Sequence, residues 1–326
     1  MKKVLLAAFA AASLFGCSAD VKEVERNSDS LVVLNVSLTP VMSKSALSDD
    51  MSVSDVQVFV FDDSGALEAY DQGNADAMNS SLRCVPGMKT VVAVVNGPYL
   101  GNIEDYDSLR QYESDLLEDN SPGKFLMTGE CTYEVGRQSP QQNVQVAVSH
   151  RVAKIVLNRL TVHFDVSHNA EKGFVLRRAY LVNVAGTTRY LHHEESQTWY
   201  NQASLESPGD GPLLCYAPSG QQDVGSGMSI SDCCSFYAYP NESGDAFGLP
   251  WTPRKTRLVV EAMIGDELSY YPVTIPSVSA GHLYKVNLVV RHKGSGSPDE
   301  PVDVLDVMSS VTVEDWTIAS EIYEEI

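Results

Sequence analysis

Cys17 is the first side chain placed to do chemistry. It follows Leu14-Phe15-Gly16 at the end of an apolar run, Val4 to Leu14, which Lys2 and Lys3 precede. A positive start, a short apolar stretch and a small residue just before a cysteine are what a lipoprotein signal peptidase requires. The Cys17 thiol is therefore the expected lipid attachment point, palmitate among its acyl chains. The apolar run is too short to span a bilayer. Several acyl chains make a stable anchor, because each buried methylene contributes about 0.8 kcal/mol.

Lipidation of Cys17 leaves Cys84, Cys131, Cys215, Cys233 and Cys234, an odd number, so at least one thiol stays unpaired within the monomer. An export route permits disulfides. Cys84 with Cys131, or Cys215 with one of the vicinal pair, are the options beside buried free thiols. A zinc site from Cys215, Cys233, Cys234, His192 and His193 lacks the paired spacing of zinc motifs, so no metal and no cofactor is expected. Asp62-Asp63-Ser64-Gly65 lacks the spaced carboxylates and distal glutamate of a calcium loop and reads as a turn. His192-His193-Glu194-Glu195 lacks the helical spacing that puts two metalloprotease histidines on one face. His150, beside Arg151, reads as a structural histidine. With no Gly-x-Ser-x-Gly elbow, phosphate-cradling loop or Cys-His signature, no catalytic residue is assigned and the chain reads as a non-enzyme. Trp199, Tyr200 and Trp251, with the Gly-, Ser- and Pro-rich stretch 204–232, form the one arrangement that suits a surface binder, an aromatic platform for glycans.

The elements that must carry these residues are strands. The 326 residues hold Lys+Arg 23 against Asp+Glu 43, a net charge of −20 that repels nucleic acid and anionic membrane surfaces. Alternating Val- and Ser-rich runs place the chain in a mainly β class, and its length suits two antiparallel β-sandwich domains. Val32, Leu34, Val36 and Leu38 share one face of a first strand within Leu31 to Val41, ended by Pro40. Val56 to Phe61, Ala66 to Tyr70, Thr90 to Asn96, Phe125 to Gly129, Val144 to Val148 and Val152 to Phe164 continue the first domain. Asn102 to Glu118 has helical spacing and is its one short helix. Phe174 to Val184, Phe236 to Tyr239, Arg257 to Ile264, Leu268 to Ile275 and Leu283 to Arg291 build the second. The expected division is a signal at 1–17, a tether at 18–30, a first domain at 31–166 and a second at 167–326, with the break near Asp165 to Lys172. Beyond a spacer at Gly294 to Pro301, the tail 303–326 carries Val307, Val311 and Val313 in one parity and Trp316, Ile318 and Ile322 in the other. A bulge or bend at Glu314-Asp315 would divide those faces.

The run Ser279-Ala280-Gly281-His282-Leu283-Tyr284-Lys285-Val286-Asn287-Leu288, the spacer, and Val311-Thr312-Val313-Glu314-Asp315-Trp316 together resemble the closing signature of the fimbrillins, the type V pilins of Bacteroidales. Val56 to Asp62 with Gly65, Pro86-Gly87-Met88-Lys89-Thr90 through Asn96, Phe125-Leu126-Met127-Thr128-Gly129 and Arg151-Val152-Ala153-Lys154-Ile155 are similar to further stretches of that family, in family order. The resemblance implies two transthyretin-like sandwiches in a lipoprotein precursor of the outer membrane. It further implies a surface protease that cuts in the loop after the first strand and a groove opened by loss of that strand. The tail of another fimbrial subunit then fills the groove and extends a cell-surface fimbria for adhesion. Residues 31–44 match the removable segment, Val32, Leu34, Val36 and Leu38 its occluding face, and Lys44 and Ser45 the cut. Val311, Val313, Trp316, Ile318 and Ile322 match the donor strand. Shaft pilins carry arginine where this chain has Lys44. Either a lysine-accepting protease acts, or the strand stays and the subunit remains a lipidated anchor. Tip subunits and glycan-binding surface lipoproteins are the other readings.

Overall fold

A computed structural model describes residues 31–40, 50, 52–74, 78–164, 173–246, 248, 250–300, 302 and 307–316. It is mainly β. The first half runs β1 (Val32–Pro40), β2 (Val56–Phe61), β3 (Leu67–Gly73), β4 (Asn79–Cys84), β5 (Gly87–Val95), α1 (Tyr106–Arg110), β6 (Glu113–Asp115), α2 (Leu116–Asp119), β7 (Met127–Val135) and β8 (Gln141–His150). The second runs β9 (Ala153–Val162), β10 (Phe174–Val182), β11 (Val184–Ala185), β12 (Thr187–Arg189), β13 (Trp199–Tyr200), β14 (Cys215–Tyr216) and β15 (Gln222–Val224). It closes with β16 (Ser229–Ala238), β17 (Arg257–Ile264), β18 (Glu267–Thr274), β19 (His282–Val290) and β20 (Val307–Asp315).

The first sandwich is one sheet, order β3-β2-β5-β7-β8-β1-β4, folded so that its ends face each other. The fold lies at the β7–β8 join, where only Met127↔His150 and Thr128↔Ser149 pair. Gly129 permits this approach, since a Cβ there would lie 2.0 Å from the Ala147 carbonyl oxygen. Val56, Val58 and Val60 of β2 and Val91, Ala93 and Val95 of β5 meet Val32, Leu34 and Val36 of β1 in one core. The opposite face of β2 and β5 is covered too: Phe59, Phe61, Val92 and Val94 pack with Leu100, Ile103, Leu109 and Tyr190. That double burial explains why β2 is buried at every position rather than alternately.

In the second sandwich a sheet of order β16-β9-β19-β20 faces β14-β10-β17-β18, with β15 also on β10. The largest core lies between them and includes Ile155, Leu157, Leu181, Phe236, Val260, Tyr271 and Val286.

Three expectations change. Val152 to Phe164 precedes the expected break, yet β9 pairs with β16 and, in parallel, with β19, so its hydrogen bonds and burial belong to the second sandwich. The break itself, 165–172, lies outside the described residues. The span Asn102 to Glu118 forms two short helices rather than one, because Glu113–Asp115 is drawn out to pair with Thr187–Arg189. Asp105 caps α1 by accepting from the Ser108 amide, and Asp115 caps α2 by accepting from the amides of Leu117 and Glu118. Residues 204–232, read as loop, contain β14, β15 and the start of β16.

Candidate functional site

β1 is the middle strand of a three-stranded layer. It runs antiparallel to β4, from Val32↔Cys84 to Ser37↔Asn79, and parallel to β8, from Val33↔Gln141 to Pro40↔Val148. β4 is the sheet's last strand and pairs with β1 alone, so β1 holds it to the layer. The two-residue alternation decides what each side chain does. Val32, Leu34, Val36 and Leu38 are 4, 0, 0 and 7% exposed and complete the core. On the outer face Asn35 donates to Asn143 Oδ1 at 2.9 Å and accepts from Ser81 Oγ at 2.9 Å, which ties β8, β1 and β4 together. Cys84 is fully buried beside this strand, its sulfur 3.9 Å from the Val32 carbonyl oxygen, and burial pushes its thiol up from the ordinary range.

The tail is held differently. β20 pairs antiparallel with β19 from His282↔Asp315 to Val290↔Val307 without a register break, so the bulge expected at Glu314-Asp315 is absent. Val307 and Val311 are half-buried against the second core, but Val313 is 49% exposed. Six of its nine residues are exposed, so β20 is retained by its ladder more than by burial. Trp316 is the exception. Its amide donates to Gly281 at 2.7 Å, and its ring, 1% exposed, stacks on His150 at 4.2 Å with Tyr237 6.2 Å away.

That stack caps a buried polar cluster. Asp50 forms an ion pair with Lys154 and accepts from Tyr237 at 2.7 Å, while its carbonyl meets His150 Nε2 at 3.1 Å. Burial lowers the His150 pKa to about 4, so the ring is neutral near pH 7, and burial also pushes the Tyr237 hydroxyl up. Among the described residues, His150 Nδ1 and Trp316 Nε1 are buried with no hydrogen-bond partner. Each such orphan costs on the order of 1–3 kcal/mol. Trp316 is thus well packed but incompletely satisfied. The cluster joins the segment after β1, the end of β8, the start of β9, the end of β16 and the residue that follows β20, a meeting no sequence motif announced.

Cys17, Lys44, Ser45, Ile318 and Ile322 lie outside the described residues. The aromatic side chains read as a glycan platform are engaged within the chain. Trp199 donates to the Ser196 carbonyl at 3.0 Å and meets Trp251 edge to face at 5.6 Å. Trp251 donates to Asn183 at 3.0 Å, and the Tyr200 hydroxyl donates to Asp115 at 2.8 Å. His193 and Glu195 line a cavity of about 250 Å³ with Trp199 and Asn241. Among the described residues no group of three or more His, Cys, Asp and Glu side chains could hold a metal ion.

No family model matches the chain, and no curated protein matches it by sequence. Solved structures match its fold. A fimbrilin from Porphyromonas gingivalis W83 aligns with a TM-score of 0.64 at 13% identity, over 89% of this chain and 99% of that one. A proposed cell adhesion protein from Parabacteroides distasonis ATCC 8503 gives 0.63 at 14% identity, over 90% and 99%. The tip fimbrial protein Mfa3 of Porphyromonas gingivalis, with a C-terminal truncation, gives 0.53 at 14% identity, over 88% and 100%. The chain has the fimbrilin fold across both of its sandwiches.

Proposed function

We propose that this fimbrilin-fold chain is a structural subunit of a cell-surface fimbria, exported as an outer-membrane lipoprotein through Cys17 and assembled by strand exchange. One observation carries the reading: β1 is central in its layer, completes the core with four side chains, and is followed in the chain by the segment that contains Lys44 and Ser45. Cleavage there would free β1 to leave, and its departure would expose an apolar slot with two sheet edges, those of β4 and β8. A strand of alternating apolar residues restores both ladders and the burial. The tail of a second subunit supplies such a strand, with Val311 and Val313 on one face and Trp316, Ile318 and Ile322 on the other. Other fimbrial subunits and a lysine-accepting surface protease are the partners, adhesion is the outcome, and no catalytic residue is needed on this chain.

The test is the mature N-terminus of material recovered from assembled fibres, read by peptide mass spectrometry. Ser45 at the N-terminus, lost in Lys44→Ala together with fibre growth, supports the exchanging subunit. A second reading follows from lysine standing where shaft pilins have arginine: the strand is retained and the subunit serves as the anchor. Lipidated Cys17 in assembled fibres would decide for the anchor, and normal fibres after deletion of 307–326 would remove the donor role.

A further inference from the structure

Adjacent residues in a regular strand point to opposite faces of the sheet, which keeps their side chains apart. Cys233 and Cys234 of β16 break this rule: their Sγ atoms are 3.4 Å apart. The cause is local. Between Ser231 and Cys234 the strand takes three steps while β9 takes two, from Arg159 to Leu157, and Asp232 adopts a φ of +48°. This is a bulge, with an extra residue that is unpaired and free to re-aim its side chain. It turns Cys233 towards Cys234. Aspartate is one of the few non-glycine residues that adopt the left-handed conformation as single residues, and here it lets the strand leave its regular path so that the two sulfurs meet.

We propose that Cys233 and Cys234 form a vicinal dithiol that low-molecular-weight disulfides oxidise to a ring disulfide between the two adjacent residues. A disulfide bond is about 2.05 Å long, so the sulfurs must close by about 1.4 Å from their 3.4 Å separation. The unpaired bulge residue can absorb that movement, whereas two cysteines in a regular ladder could not. The remaining thiols make other contacts, although Cys215 is close enough to add to the upward push on the Cys234 thiol. Cys215 packs with Tyr180, Val182 and Val259, and Cys84 and Cys131 belong to the core of the first sandwich.

The two sulfurs have unequal roles. Cys233 is half-buried, and the hydrogen bond from the Cys234 thiol holds its own thiol below the ordinary range. Cys234 is 7% exposed, and the same contact together with burial pushes its thiol up. Cys233 is therefore the attacking thiolate. It displaces one thiolate from the small disulfide and forms a mixed disulfide at its own sulfur. Cys234 then attacks the Cys233 sulfur as its proton leaves, closing the ring and expelling the second thiolate. Both departing thiolates end protonated, so two electrons and two protons pass from the protein to the reagent.

The experiment incubates the full chain with oxidised glutathione under native conditions. Free thiols are then blocked by alkylation, and an unreduced digest is read by mass spectrometry. In the wild type the peptide holding both cysteines is expected to lack a hydrogen pair and to carry neither alkyl groups nor glutathione. In Cys234→Ser, stable glutathionylation of Cys233 is expected. In Cys233→Ser, modification of Cys234 should be slower by about tenfold or more, because it is buried and burial alone still pushes its thiol up. The proposal is overturned if both wild-type thiols remain alkylatable, if glutathione stays on Cys233, or if Cys233 links to Cys215. The wild-type measurement decides the matter even if a serine variant fails to fold.

Discussion

A chain that begins at Ser45 lacks β1, and the structure sets how much that loss costs. Val32, Leu34, Val36 and Leu38 are nearly or fully buried in the intact chain. Burial stabilises by about 1.5–3 kcal/mol for each large apolar side chain, or about 6–12 kcal/mol for the four, before any loss of ladder hydrogen bonds. The whole stability of a domain is about 5–15 kcal/mol, so an empty slot removes a large share of the first sandwich's stability. At about 2–8 °C per kcal/mol, the shortened chain should melt at least about 12 °C below the intact one. A synthetic peptide of residues 31–41 should restore most of that difference, and a peptide of the tail should restore part of it. Cys84 provides a second readout in the same samples. It is fully buried next to Val32, so a thiol-specific reagent should label it slowly in the intact chain, rapidly in the shortened chain, and slowly again once peptide is bound. Cys84→Ser identifies the signal against the half-buried Cys131, Cys215 and Cys233. A shortened chain that melts within a few degrees of the intact one, with Cys84 still shielded, would refute the reasoning.

Burial holds His150 neutral, with a pKa of about 4 against an ordinary value of 6.5. The unfolded chain therefore binds the proton first, and this group's contribution is present above pH 6.5 and is lost as pH falls towards 4. The loss approaches about 3 kcal/mol, and denaturant titrations of wild type against His150→Gln should diverge in that window and converge above it. Trp316→Ala removes the one fully buried anchor among the tail's described residues, at a cost of about 3–5 kcal/mol. Hydrogen exchange at Val307–Asp315 should speed up while the amides of β9 stay protected, and equal acceleration in both strands would contradict an independently held tail. Gly129→Ala puts a methyl group 2.0 Å from the Ala147 carbonyl oxygen. Thermal denaturation should show a loss of about 1–3 kcal/mol from the forced separation of β7 and β8, and an unchanged midpoint would mean that the two strands shift apart freely.

The alternation from Val32 to Leu38 was legible in the sequence, because side chains on a strand change face at every residue and one face of this strand is entirely apolar. The mainly β class and most of the strands followed from the same rule, and the closing motif pointed to the fold that the solved structures match. Pairing was not legible. That β1 lies between β4 and β8, and that β9 joins β16 and β19, depends on partners far away along the chain, and any apolar strand meets the local requirements of several neighbours. The span 102–118 has a helical pattern, but a ladder with Thr187–Arg189 outweighs it across Glu113–Asp115, since local propensity is weak beside tertiary hydrogen bonding and burial. Trp316 was visible as a tail residue, but its stack on His150 above the Asp50–Lys154 pair was not, because those residues come from four separate segments. Likewise the sequence shows that Cys233 and Cys234 are neighbours, and neighbours on a regular strand point to opposite faces. Only the bulge opposite Leu157–Arg159, a product of the register between two strands, turns them to face each other.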